Sequence, residues 1–143
     1  MSSMKMLETI GKRLVRRSEM VPCKSAFIDA HTPGSHLKDN FSIIGPGVTE
    51  NKEQFINIRE PHGFNIGAAG QPPHIKNSLH SHFTAEVFII HEGTFEIYWG
   101  LKAENRTTLS EGDVISIPTN CFRGFENIGD KYGFMFAILG GDD

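Results

Sequence analysis

At 143 residues, with 38% hydrophobic and 22% charged side chains, the chain has the size and composition of one soluble domain with a substantial core. No apolar run approaches the ~20 residues of a membrane helix. The N-terminus, interrupted by Lys5, Glu8, Lys12 and Arg13, lacks the apolar centre of a signal peptide, so a cytoplasmic location without membrane contact is expected.

The net charge of −3 divides unevenly. Up to Lys24 six Lys or Arg stand against two acids, giving +4; beyond it eight stand against fifteen, giving −7. A basic arm can contact nucleic acid. This one is short, lacks interleaved aromatics and is attached to an acidic body that repels phosphate, so no nucleic-acid partner is expected. Cys23 and Cys121 form no Cys-x-x-Cys pair, which argues against a disulfide framework and a finger-type zinc site.

In chain order, Leu7, Ile10 and Leu14 recur at three and four residues and predict a short amphipathic helix over about residues 4–16 of an N-terminal segment, 1–20. Gly11 weakens it, at a cost of about 1 kcal/mol against alanine. From Val21 onward the pattern becomes short β-prone runs between turns, and 21–143 reads as a single all-β domain. The predicted strands are Ala26–Ile28, Phe41–Ile44, Phe55–Ile58, Phe64–Ala68, Glu86–Ile90, Thr94–Trp99, Arg106–Leu109, Val114–Ile117, Arg123–Asn127 and Tyr132–Leu139.

The stretch His80–Gly93 carries the chemistry. Read as a strand, in which side chains alternate faces, His80, His82 and Glu86 point to one side. Two imidazoles and a carboxylate suit a divalent transition metal with positions left open for a ligand. The plainer reading is two surface histidines before a hydrophobic strand; the glutamate in phase, the apolar run and Gly93 favour the metal. Parity further places Phe88, Ile90, Phe95, Ile97 and Trp99 inward, with Phe122 and Phe125 beside Arg123. His31, His36, His62, His74 and His91 read as loop or outward residues and stay outside the metal set. The last strand is apolar on both faces, so its outer side needs a cover: the N-terminal segment, another sheet or, in a homodimer, a second subunit.

Two spaced motifs resemble those of the cupins, a family of small jelly-roll β-barrels. The first is G-x5-H-x-H-x3,4-E-x6-G, met by His80, His82, Glu86 and Gly93, with His74 in place of its first glycine. The second is G-x5-P-x-G-x2-H-x3-N, met by Gly112, Pro118 and Asn127, with Asn120 in place of the second glycine and Arg123 in place of the histidine. The resemblance implies an all-β, cupin-like jelly-roll barrel holding a divalent metal (Fe, Mn, Ni or Zn), with His80, His82 and Glu86 as ligands. Arg123 has no lone pair with which to replace the fourth ligand. Two roles follow for it. Arg123 clamps an anionic substrate beside the metal as a catalytic residue, or it pairs with Glu86 and weakens the metal site. The first role implies an oxygenase-type enzyme acting on a small organic acid or aromatic compound; the second, a non-catalytic binder of a small molecule or metal.

Overall fold

The computed structural model describes residues 2–24, 34, 36–47 and 49–141. Helix α1 spans Ser3–Gly11, and nine strands follow: β1 Asp39–Ile44, β2 Ile56–Ile58, β3 Phe64–Gln71, β4 Glu86–Glu92, β5 Phe95–Trp99, β6 Asn105–Leu109, β7 Val114–Ile117, β8 Arg123–Asn127 and β9 Gly133–Gly140. Nine of the ten predicted strands therefore form, with ends displaced by a few residues at most; Ala26–Ile28 lies outside the described residues.

The predicted helix is shorter than expected. Ser2 caps it by accepting a hydrogen bond from Lys5 N (3.2 Å), and it stops at Gly11, where the backbone cost of glycine outweighs the apolar spacing. Leu7, Ile10 and Leu14 all remain more than half exposed.

The strands form a six-stranded sheet in the order β2-β1-β3-β9-β4-β7 and a three-stranded sheet in the order β6-β5-β8. The two sheets do not close on each other by hydrogen bonds; they enclose a jelly-roll interior. Phe88, Ile90, Phe95, Ile97, Ile117, Phe125 and Met135 fill it. Of the residues that parity places inward, Phe88, Ile90, Phe95 and Ile97 are 0–1% exposed, whereas Trp99 is half-buried. Tyr98, of opposite parity to Phe95 and Ile97, is also buried, its hydroxyl donating to the Asn77 carbonyl.

The outer face of the large sheet has its own apolar cluster, Phe41, Ile43, Ala68 and Phe134, against which Val15 and Met20 of the N-terminal segment pack. The Arg17 guanidinium lies 4.3 Å from the Phe134 ring centre and 5.0 Å from that of Phe41. Such a cation over two rings adds about 0.5–2 kcal/mol of attraction. The segment that follows the helix thus covers part of this face, as the two-sided apolar pattern of β9 demands.

Both positions where the motifs lose a glycine keep a left-handed backbone. His74 has φ 66° and Asn120 φ 59°, beside Gly93 at 87° and Gly112 at 88°. Asn tolerates this region; an imidazole on a β-carbon does so at a cost of about 1–2 kcal/mol. His74→Gly should therefore raise stability by about 0.5–1 kcal/mol, the strain relieved less the added chain entropy. Urea unfolding measures it, and a loss of stability would mean that the exposed imidazole makes a contact that matters.

Candidate metal centre

Strand β4 begins at Glu86, so the two histidines precede it. The shared-strand parity that predicts their convergence does not apply; a different backbone device brings them in. His80 lies opposite Arg123 of β8 in an isolated antiparallel bridge, His80 N donating to Arg123 O (3.0 Å) and Arg123 N to His80 O (2.8 Å). His82 is fixed from the next turn, where Asn120 N donates to His82 O (2.8 Å). At the start of the first motif, His74 N donates to Asn127 O (2.8 Å). The two motifs are thus joined rung by rung, and the left-handed Asn120 provides one of the rungs.

The outcome is nevertheless the predicted cluster. One ligand atom from each of His80, His82 and Glu86 can be chosen so that all lie within 4.8 Å of one another. A metal about 2.0–2.2 Å from each of three ligands holds neighbouring ones roughly 3.0–3.6 Å apart, so the three side chains would draw together by about 1 Å on binding. The imidazole of His80 is oriented for the task. Its Nδ1 lies 2.9 Å from the Ser78 carbonyl, which can only accept, and 3.4 Å from the Asn77 amide nitrogen, which can only donate; the shorter contact favours the tautomer with the proton on Nδ1 and the lone pair on Nε2. His82 is held neutral. Burial, His80 and Arg123 together lower its pKa from 6.5 to about 4.

Glu86 is 4% exposed and Arg123 is fully buried. Arg123 Nε donates to Glu86 Oε1 at 3.1 Å, Nη2 lies 3.1 Å from the same oxygen, and Nη1 donates to the Cys121 carbonyl at 2.7 Å. Nη2 is close enough for ion pairing but lacks hydrogen-bond geometry, and no other acceptor reaches it. All of the Arg123 contact falls on Oε1, leaving Oε2 without a contact from the guanidinium. The carboxylate can therefore hold the cation of the protein on one oxygen and a metal ion on the other. Burial pushes the Glu86 carboxyl up, and the charge and hydrogen bond of Arg123 pull it back.

The cluster lies on the wall of a cavity of about 440 Å³, within the size range of small-molecule sites. The register explains the space. Between β4 and β1 the inner face is paved by Ala137 and Gly67 in one row and by Met135 and Ala69 in the next. Small side chains leave a void where larger ones would close the core. Phe88 and Phe125 floor the cavity; Phe122 is 37% exposed and does not line it. Arg123 does not line it either, having turned onto Glu86. Residues that the sequence did not single out do: Lys38, Asn40 and Ser42, alternating along one face of β1 and its approach, and Gln54. Their signal was the alternation itself, Lys38-x-Asn40-x-Ser42, on a stretch too polar to read as a barrel interior.

Two predictions follow from this geometry. Arg123→Met leaves a buried carboxylate without its cation and should cost about 3–5 kcal/mol in urea unfolding; adding Glu86→Gln should recover much of that loss. Equal losses in the single and double variants would show that the ion pair is not what is being broken. For His82, the depressed native pKa means that the unfolded chain takes up a proton that the native state refuses. Stability of metal-free protein should fall as pH drops from about 6.5 towards 4. This portion of the decline should vanish in His82→Gln, read as the difference between the two stability-versus-pH curves.

Comparison with known proteins agrees with this architecture. The Cupin domain family matches residues 70–139. A cupin 2 conserved barrel domain protein from Salinispora arenicola CNS-205 superposes with a TM-score of 0.57 at 14% identity, covering 89% of this chain and 85% of that one. A structure of DMSP lyases gives 0.57 at 12% identity, covering 73% of this chain and 47% of that one. A recombinant oxalate oxidase in complex with glycolate gives 0.52 at 16% identity, covering 57% and 43%. No curated protein sequence matches the chain.

Proposed function

For a chain that belongs to the cupin superfamily, we propose a metal-dependent enzyme of the oxygenase kind acting on a small organic acid or aromatic compound. The observation that carries this reading is the convergence of His80, His82 and Glu86 on the wall of a cavity large enough for such a substrate. A divalent transition metal held there would supply Lewis acidity and open coordination positions. Two neutral imidazoles and one carboxylate, the last already offset by Arg123, leave the positive charge of a bound dication largely uncompensated. That balance favours an anionic ligand. The apolar floor of Phe88 and Phe125 limits water. Arg123, for which the sequence left open a substrate clamp or a pairing with Glu86, has a positioning role in this proposal: it holds Glu86 by Oε1 and leaves Oε2 available to a metal. The oxalate oxidase neighbour, which holds glycolate, gives support by analogy of fold alone.

A second reading, a non-catalytic binder of a small molecule or metal, is favoured by the same ion pair, because a fixed guanidinium beside the ligand carboxylate weakens a cation site. In either case the part of the outer sheet face that the described residues leave uncovered suits a homodimer of one barrel domain (21–143) per chain.

Metal analysis decides first. Protein purified with Fe(II), Mn(II), Ni(II) or Zn(II) supplied should retain about one ion per chain, and Glu86→Ala or His82→Ala should lose it, with a light-scattering mass of two chains. Oxygen uptake by the Fe(II) form against small acids, catechols and thiols then separates enzyme from binder. A metal ratio near zero with every ion would remove the enzyme reading.

A further inference from the structure

Helix α1 stands with its apolar side in solvent. Met4, Leu7 and Ile10, with Met6 beside Ile10, fall on one half of its circumference; Lys5, Glu8 and Thr9 fall on the other, followed by Lys12 at the C-terminal cap. The four apolar side chains are 48–75% exposed, and no residue of the helix is buried. A helix of nine residues is marginal in water by itself and is stabilised by packing an apolar face. Among the described residues of its own chain, α1 has no such packing.

The large sheet carries a matching surface. Its outer face presents two apolar rows in register: Ile66, Ile138 and Val87 across β3, β9 and β4, then Phe136, Ile89 and Val114 across β9, β4 and β7. Val114 is 59% exposed and the other five are half-buried. Together the rows cross four strands, about 14 Å, and the helix is about 13 Å long. Val15, Arg17 and Met20 cover this face over Phe41 and Phe134, towards β1. The charges match as well. Exposed Glu92, Glu111 and Asp113 lie where β4 ends and β7 begins, beside Val114. The arm up to Lys24 carries +4 and the remainder −7.

We infer that α1 of one copy of this chain docks on the outer rows of a second copy, which returns the contact with its own helix. Each copy then gives the same surface that it receives, as a twofold dimer requires. This rests on the homodimer reading above and assigns the segment that closes it. Leu7 and Ile10 enter the rows, while Lys5, Lys12 and Arg13 meet the acids beside β7. A lipid surface is the other partner that a basic amphipathic helix fits. It would leave the sheet rows bare and bring the acidic body against anionic headgroups.

Sedimentation of the full chain over a concentration series tests the inference, with Leu7→Glu/Ile10→Glu and Val114→Lys beside the wild type. Glutamate matches leucine in helix propensity, and all three positions are exposed in the single chain, so the variants keep the fold. The wild type should have the mass of two chains. Each variant should raise the dissociation constant at least about tenfold, the worth of one buried apolar side chain. The zinc ratio should be the same in all three, so the metal reading stands or falls separately. A two-chain mass unchanged in either variant would overturn the inference and leave a dimer closed by other surfaces. A wild-type mass of one chain would overturn it together with the homodimer reading. Capture of single wild-type chains by phosphatidylglycerol vesicles would do the same and make lipid the occupant.

Discussion

The ion pair between Glu86 and Arg123 is the constraint around which the site is arranged. Removing both charges from water costs several kcal/mol per ion, repaid only where the geometry is good and the remaining donors are used. Here Nε and Nη2 converge on a single carboxylate oxygen and Nη1 reaches the Cys121 carbonyl. The convergence matters because it is one-sided. Had the guanidinium forked across both oxygens, as arginine does in a bidentate pair, neither oxygen of Glu86 would be clear of it. The histidine that the second motif leads one to expect would have offered a ligand; the arginine instead grips Glu86. A buried cation and a metal site, which compete for the carboxylate on sequence grounds, become compatible because a carboxylate has two oxygens.

The same rungs that place Arg123 place the histidines. His80 is paired to Arg123 through two backbone hydrogen bonds, His82 to Asn120 through one, and Glu86 heads a strand bonded on both sides, to β7 and β9. Main-chain pairing is insensitive to side-chain identity, which is how the cluster persists although the motif has lost two glycines and a histidine. The left-handed φ of His74 and Asn120 shows that the backbone retains the shape that those glycines would have served. The cavity beside the cluster likewise arises from ordinary packing. The core is filled by large apolar side chains towards β5 and β8 and by glycine and alanine towards β1, so free volume gathers on one side.

Much of this was legible in the sequence, and the misses have identifiable causes. Alternation and turn residues located nine strands, because each apolar run ended in glycine, proline or a polar pair. The clustering of His80, His82 and Glu86 was expected from an argument that does not hold: its parity presumed a strand through His80 and His82, where the chain forms an irregular edge along β8. The spacing of the motif, not the period of a strand, carried the information. Arg123 was seen as a departure, yet its partner could be decided only by distances. Helix α1 ended early because an apolar stripe with nothing to pack against does not outweigh a glycine. The β1 wall of the cavity escaped notice since Lys38, Asn40 and Ser42 resemble a solvent face; they are inward because Gln54 and the turn before it fold over them.

The place of β9 has a further consequence. It is the last of the described strands, yet it lies in the middle of the large sheet, paired along its length with β3 on one side and with β4 on the other. Until residues 133–140 have left the ribosome, β4 and β3 have no common neighbour, and the inner row from Phe88 through Ala137 to Gly67 does not exist. The residues that would hold a metal are synthesised well before the strand that aligns them. Such long-range pairing is slow to nucleate and keeps strand edges open meanwhile. The growing chain therefore carries its histidines with the cavity unmade, and the site can form only once β9 joins β3 to β4.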